Sequence, residues 1–182
     1  MAPLQPVPEL LNDQHVLDGF DCGEPEINEF LLRHALLHAV AGYSRTWVIA
    51  DPTDHIVQGF KSVAASSQAV KVKVKGVSKK LVPGIMATCP YPSVPVVIIG
   101  HLARRKELEK AHLGERLLVF AIVKALETSN NIGVAGIVLD ALTERLLSYY
   151  RKKKFERLPY PETDKRRMLL TMADARATIE SL

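Results

Sequence analysis

The chain has few cysteines, no long apolar run and no secretory signal, and each absence excludes a class of protein. Its two cysteines, Cys22 and Cys89, lie far apart and outside any Cys-x-x-Cys spacing, which argues against a disulfide scaffold. No apolar run approaches the roughly 20 residues that span a bilayer. The N-terminal residues lack the basic start and apolar core of a signal peptide. We therefore expect a cytoplasmic protein with free thiols and no membrane contact.

The composition is that of an ordinary globular protein, but the charge is unevenly distributed. Of the 182 residues, 47% are hydrophobic and 24% charged, so we expect one domain over residues 1–182 with a substantial core. Residues 1–60 carry two basic and nine acidic side chains, whereas the remainder carries 22 basic and 11 acidic ones. A basic C-terminal two-thirds indicates either a polyanionic partner or an ordinary solvated surface.

The stretch from Pro95 to Leu118 combines a strand, a charged loop and a helix. Val96 to Ile99 are consecutive β-branched residues, typical of a strand buried on both faces. Apolar residues recur at helical spacing after Gly114: Leu117, Leu118, Ala121, Ile122 and Ala125. A strand, a loop and a helix N-terminus in this order can bind an anion such as phosphate, although a plain connection has the same pattern.

The first helix is predicted from about Pro25 to Val40. Proline suits a first helical turn, and Gly42 lies just past the end. Four apolar side chains of this helix are expected to face the core: Ile27, Phe30, Leu31 and Leu37. His34 and His38 have a spacing that can hold a metal, but no third ligand is evident nearby, so we predict no metal site.

Several strands and turns are predicted around these segments. Residues 45–50 and 56–65 form a predicted hairpin, and residues 76–95, with four prolines, are expected to be irregular. VKVKVK at 70–75 places its lysines on one face, either as a contact for nucleic-acid phosphates or as protection of an edge strand. Residues 134–140 and 166–172 are predicted strands, with a helix capped by Thr143 between them and a short helix at the end. The pattern indicates an α/β or α+β sheet protein.

Four segments in this order resemble the toxin-type branch of the GNAT N-acetyltransferase superfamily. They are GFDCGEPEINEFLLRHA at 19–35, AGYSRTWVIAD at 41–51, VPVVIIGHLA at 94–103 followed by LGERLL at 113–118, and IGVAGIVLDALTERLLSYYRKKKFERLP at 132–159. Each segment is weakly diagnostic, but the ordered set covers about 150 residues, nearly the whole chain.

The resemblance implies a fold, a reaction and a set of partners. The fold is the GNAT acyl-CoA fold, a mixed, mostly antiparallel sheet whose central strands splay apart, flanked by helices. The reaction is transfer of an acetyl group from acetyl-CoA to the α-amine of aminoacyl-tRNA, which blocks translation. Implied partners are a ribbon-helix-helix antitoxin and a second copy of the chain in a homodimer.

The resemblance also assigns roles to particular residues. Tyr150 matches the family tyrosine that protonates the departing thiolate, a role that suits a phenol with an ordinary pKa of about 10. Ser44 and Arg45 are expected to contact substrate, although a structural ion pair explains Arg45 equally well. Residues expected to bind the cofactor are Leu102, Ala103, Arg104, Lys110, His112, Leu113, Gly114 and Glu115.

The sequence departs from the family pattern in the segments expected to face the cofactor. The family's phosphate loop carries a basic or amide residue where this chain has Glu109, and glycine where it has His112. A carboxylate there should repel phosphate, with Arg104, Arg105, Lys106 and Lys110 as possible compensation. Glycine is also usual at the position of Lys154, and histidine at that of Asp140. Two hypotheses therefore remain: an active acetyltransferase, or a weak or inactive GNAT-fold protein that binds RNA or a protein partner.

Overall fold

The computed structural model describes residues 6–74, 77–159 and 166–181, and within them a mixed α/β protein. The strands are β1 Glu9–Leu10, β2 Arg45–Ala50, β3 Val57–Ala69, β4 Lys71–Val74, β5 Val77–Lys80, β6 Ser93–Arg104, β7 Gly136–Asp140, β8 Glu156–Arg157 and β9 Arg167–Thr171. The main sheet has seven strands in the order β1-β2-β3-β6-β7-β9-β8, and β4 and β5 form a separate two-stranded sheet. The α-helices are α1 Pro25–Glu29, α2 Ala35–Ala41, α3 Leu113–Ser129, α4 Glu144–Lys152 and α5 Met172–Glu180.

The chain forms two compact units. One joins the chain up to Ala64 with Gly100–Ala121, and the other joins Ala65–Ile99 with the chain from Ile122 onwards. In the first unit β2 pairs antiparallel with β1 and β3, which confirms the predicted hairpin. Its core contains buried aromatic and aliphatic side chains from the loop before α1, from the helical segment and from β2 and β3, including Phe20, Phe30, Leu31, Val48 and Phe60.

The predicted helix over 25–40 is interrupted. A π-helical turn at Phe30–His34 separates α1 from α2. Each π turn adds one residue to the repeat, so side chains after it are rotated around the helix axis by about 100°. Phe30 and Leu31 are buried as predicted, but the prediction for Leu37 is wrong: it is 65% exposed, and Ala35 is buried instead.

The second unit is built on β7. It pairs parallel with Val96–Ile99 of β6 and antiparallel with β9, which in turn pairs with β8. Residues on both faces of this sheet are buried, among them Val96, Ile99, Val138 and Leu169, which confirms the predicted buried strands. Thr143 caps α4 by accepting a hydrogen bond from the Leu146 N–H, as the sequence predicts.

Residues 76–95 are more regular than predicted. The strand β5 pairs antiparallel with β4, and a 3₁₀ helix follows at Gly84–Thr88. Because the prolines follow β5, the irregular backbone is limited to the segment after that strand, and the β4–β5 hairpin can form. Lys75 and Gly76 lie outside the described residues. Within the part of the chain that is described, no helix is both long and apolar enough to cross a membrane.

Candidate active site

The loop between β6 and α3 contains most of the predicted cofactor-binding residues. After β6 ends at Arg104, the chain forms a 3₁₀ segment at Lys106–Ala111 and enters α3 at Leu113. His112, between them, has a φ of 52°, in the left-handed region that glycine adopts more easily. This is the position where the resembling family carries glycine. The backbone shape that a glycine would supply is therefore present, although the residue is histidine.

The side chain of His112 is not packed into the loop. It is 82% exposed, and its Nδ1 lies 3.8 Å from a carboxylate oxygen of Glu115. A surface pair of this length contributes little to stability. The imidazole therefore lies in solvent and does not fill the space beside the helix N-terminus.

The charges around the loop are largely paired with one another. Arg104 Nη2 lies 3.3 Å from Glu109 Oε1, so the carboxylate expected to repel phosphate is partly neutralised. Lys106 Nζ forms an ion pair of 2.5 Å with Asp21. The hydrogen bonds from Lys106, the Gly23 N–H and Asn28 hold the pKa of Asp21 at about 2.

The Arg105 side chain is also held by hydrogen bonds within the protein. Its Nε donates to the carbonyl of Val57 at 2.8 Å, and its Nη1 to that of Gly19 at 2.5 Å. Arg104, Arg105 and Lys106 thus each have a carboxylate or carbonyl partner within the protein, and their contribution of positive charge towards a phosphate stays a prediction. The side chain of Lys110 lies outside the described set.

The first turn of α3 provides backbone donors. The first N–H groups of a helix have no acceptor within the helix and carry the positive end of its dipole. A Cβ added to Gly114 would lie 3.9 Å from Leu102 Cδ2, an ordinary contact, so the protein itself leaves space there. Ala103 and Leu113 are buried in the core, so any contact that they make with a cofactor must come from the backbone. Leu102 packs beside Leu113, Leu117 and Ile49 and fixes the start of the helix.

Tyr150 belongs to the second unit, on α4. It is 7% exposed, and its ring lies 5.3 Å from that of Tyr149 and 5.8 Å from that of Phe155, measured between centroids. Burial, with a smaller contribution from Tyr149, raises the pKa of Tyr150 to about 12. The hydroxyl therefore stays protonated at any physiological pH and can donate a hydrogen bond.

The turn after α4 repeats the backbone feature seen at His112. Lys154 has a φ of 69°, and it too occupies a position where the family usually carries glycine. Both substituted residues thus keep a left-handed conformation. Asp140, where the family often has histidine, forms a bidentate pair with Arg167 at 2.9 and 2.6 Å, across the β7–β9 register.

Ser44 and Arg45, the predicted substrate contacts, lie at the start of β2. Arg45 Nη1 donates a hydrogen bond to the carbonyl of Ala39 in the last turn of α2. This contact satisfies a helix C-terminal carbonyl, so the structural alternative for Arg45 is a hydrogen bond and not an ion pair. Ser44 Oγ is buried and has no hydrogen-bond partner among the described residues.

Two polar residues of the first unit, His101, which is half-buried, and Lys61, which is fully buried, were not predicted. The His101 ring stacks on Phe30 at 3.8 Å, and its Nδ1 lies 3.1 Å from Ser62 Oγ. Burial and the nearby His38 lower the pKa of His101. Lys61 is fully buried, with its ammonium 4.2 Å from the centroid of the Trp47 ring. The available signal for the second was that Lys61 is the only charged residue in β3.

Solved structures with the same fold include acetyltransferase toxins. No protein-family model matches the chain. A tyrosine-to-phenylalanine mutant of KacT has a TM-score of 0.79 at 20% identity, covering 94% of this chain and 97% of that one. AtaT complexed with acetyl-methionyl-tRNAfMet has a TM-score of 0.79 at 22% identity, covering 94% and 97%. AtaTR bound with acetyl-CoA has a TM-score of 0.77 at 23% identity, covering 94% and 96%. Likeness at these identities shows the fold, which is that of the GNAT toxins.

A relative in sequence shows the family. The chain is 31% identical over 173 residues to a tRNA-acetylating toxin of Mycobacterium tuberculosis strain H37Rv, covering 94% of this chain and 95% of the relative. The chain therefore belongs to the toxin-type branch of the GNAT N-acetyltransferases.

Proposed function

We propose that this chain is an acetyl-CoA-dependent N-acetyltransferase that modifies the α-amine of aminoacyl-tRNA and so blocks translation. The observation that carries the proposal is the 31% identity to a tRNA-acetylating toxin over nearly the full length of both proteins. The basic balance of residues 61–182 supports an RNA substrate. We further propose that residues 1–182 act as one acetyltransferase domain.

The start of α3 is the proposed site for the cofactor's phosphates. The N–H groups at Leu113, Gly114 and Glu115 belong to the first turn, where an anion is stabilised by the helix dipole. The left-handed backbone at His112 and the space beside Gly114 suit the close approach of a diphosphate. The pairing of Arg104 with Glu109 lowers the repulsion that the carboxylate would otherwise exert. These residues fit the cofactor, with Leu102, Ala103 and Lys110 as the remaining proposed contacts.

Tyr150 is the proposed proton donor. When bound, acetyl-CoA supplies the acetyl group as a thioester, so transfer leaves a thiolate that must be stabilised. A phenol with a pKa near 12 is fully protonated, but it is a weaker acid than an ordinary thiol. Full proton transfer to sulfur from such a phenol is uphill by about 5 kcal/mol. Tyr150 therefore acts first by donating a hydrogen bond to the developing negative charge on sulfur.

Ser44 is the better of the two proposed substrate contacts. In the part of the chain that the structure describes, its buried hydroxyl has no hydrogen-bond partner, a costly condition that a bound polar group would relieve. Arg45 is proposed to act beside it, mainly by fixing the end of α2 through the Ala39 carbonyl. Neither residue is proposed to take part in proton transfer.

The proposed partners follow from family membership. AtaT has been solved bound to the C-terminus of the antitoxin AtaR, and a KacTA complex has been solved with DNA. We propose that this chain likewise pairs with an antitoxin of the ribbon-helix-helix type and forms a homodimer. A substrate of aminoacyl-tRNA places the proposed activity in the cytoplasm.

The direct test is acetyl transfer to charged tRNA. The purified chain is incubated with labelled acetyl-CoA and a mixture of aminoacyl-tRNAs, and the 3′ aminoacyl-adenosine fragments are analysed by mass spectrometry after nuclease digestion. We expect a gain of one acetyl group on the α-amine of one or a few amino acids, absent when the tRNA is deacylated. No acetylated fragment from any aminoacyl-tRNA would contradict the proposal and favour the alternative, a GNAT-fold protein that acts by binding.

A further inference from the structure

The β4–β5 hairpin of the second unit is rich in positive charge. From Lys71 to Lys80 the sequence holds five lysines and no acidic residue. Lys71, Lys79 and Lys80 are exposed. None of these three has an ion pair with another described residue, so their charges are available to a partner outside the chain.

The base of the hairpin is fixed in the core of its unit. The Val70 N–H donates to the Pro92 carbonyl at 2.9 Å, and the Leu81 N–H donates to the Val70 carbonyl at 2.8 Å. Val70 and Val82 are buried in one apolar cluster with Met86 and Val94. The lysines between them are therefore carried on an anchored element, which lowers the entropy lost when a ligand binds.

The register of the hairpin places like charges opposite each other. Lys71 is the direct cross-strand partner of Lys80, and such pairs destabilise an antiparallel ladder. Protection of a strand edge does not require this arrangement, because lysine opposite glutamate would also keep the edge charged and would attract across the strands. Edge protection alone leaves the opposed lysines unexplained, whereas a polyanion on that face would relieve their repulsion.

We propose that these three lysines, Lys71 and Lys80 on one face of the hairpin and Lys79 on the other, form a lysine clamp on the tRNA backbone, a contact to phosphates that is independent of base sequence. The proposal rests on the proposed function for the identity of the polyanion. The clamp increases the affinity for tRNA and takes no part in the acetyl transfer step. Its loss should raise KM for aminoacyl-tRNA and leave kcat and the affinity for acetyl-CoA unchanged.

The test measures binding of deacylated tRNA as a function of salt, so it does not depend on acetylation. The variant Lys71→Gln/Lys79→Gln/Lys80→Gln is compared with wild type between 50 and 200 mM salt. Loss of three phosphate contacts should reduce the slope of log K against log salt by about 2 to 3. The affinity ratio between wild type and variant should then shrink by roughly 20- to 40-fold across that range. Because all three side chains are exposed, the variant should keep its melting temperature.

Two further triple variants separate phosphate binding from edge protection. Replacement of the same lysines by arginine keeps the charge and should keep the salt slope, whereas replacement by glutamate keeps a charged edge but should abolish binding. Equal slopes in wild type and the glutamine variant would overturn the proposal, as would a glutamate variant that binds like wild type. A glutamine variant that loses binding to phosphatidylserine vesicles but keeps binding to tRNA would also overturn it.

The outcome is independent of the proposed function. If the wild-type chain acetylates aminoacyl-tRNA and the glutamine variant keeps the wild-type salt slope, the proposed function stands and the lysine clamp is overturned. If the wild-type chain acetylates no aminoacyl-tRNA but the glutamine variant shows the reduced salt slope, the lysine clamp stands as an RNA contact and the proposed function is overturned.

Discussion

Substitution of His112 by glycine tests whether the loop before α3 keeps the backbone of a phosphate loop. A residue with a Cβ in the left-handed region costs about 1–2 kcal/mol, and glycine removes this cost. Glycine also has more conformational entropy in the unfolded chain, which reduces this gain in stability by roughly 0.5–1 kcal/mol. The exposed side chain loses only its 3.8 Å pair with Glu115. We expect His112→Gly to be stabilising by about 0.5 kcal/mol, a rise in melting temperature of about 1–2 °C.

The comparison with alanine makes the test sharper. His112→Ala removes the same side chain and keeps the left-handed strain, so it should be less stable than His112→Gly by about 1 kcal/mol. The matched control is Ala177→Gly on the exposed face of α5, where glycine should be destabilising by about 1 kcal/mol. Thermal denaturation followed by circular dichroism measures all four proteins. Greater stability of the alanine variant at position 112 would refute the left-handed assignment.

The remaining predictions concern catalysis, helix capping and acid stability. Tyr150→Phe should lower kcat by about 100-fold or more with little change in the dissociation constant for acetyl-CoA, as measured by steady-state kinetics and calorimetry; equal kcat would end the role of the hydroxyl. Because the Tyr150 pKa is about 12, the pH profile of kcat should show no loss from its ionisation up to about pH 10. Arg45→Ala should be destabilising by about 0.5–1.5 kcal/mol through the lost bond to the Ala39 carbonyl, read as a lower melting temperature; no change would mean that the bond is not made in solution. The depressed pKa of Asp21 contributes stability that is present above pH 3.8 and lost as pH falls towards 2. Asp21→Asn should therefore flatten the pH dependence of the melting temperature in that range, and a variant whose melting temperature falls with pH as steeply as that of wild type would contradict this.

The elements of regular periodicity were predictable from the sequence, and the exceptions have local causes. Val96–Ile99 and residues 134–140 are apolar runs that were correctly predicted to be buried strands, and the structure pairs them in parallel. The orientation of Leu37 was not predictable from a 3.6-residue repeat, because the π turn at Phe30–His34 shifts every later side chain. The strand β5 was missed because the prolines of 76–95 follow it and do not lie within it.

The sequence marked the loop before α3 as the candidate cofactor site, but it did not show how the charges in that loop pair. Comparison with the family pattern marked Glu109 and His112 as departures from a phosphate loop. They did not show that Arg104 pairs with Glu109, or that Lys106 pairs with Asp21, because both depend on how the folded loop brings the charges together. The left-handed backbone at His112 and Lys154 could be anticipated only by comparison with glycine positions in the family.

Calorimetric titration of acetyl-CoA into wild type and Gly114→Leu tests the central claim, that the first turn of α3 binds the cofactor's phosphates. The space beside Gly114 and its helical position mean that a larger side chain should leave the fold intact, which circular dichroism verifies. We predict micromolar binding to wild type and none to the folded variant. No binding to wild type at millimolar cofactor, or equal binding to both proteins, would contradict the account.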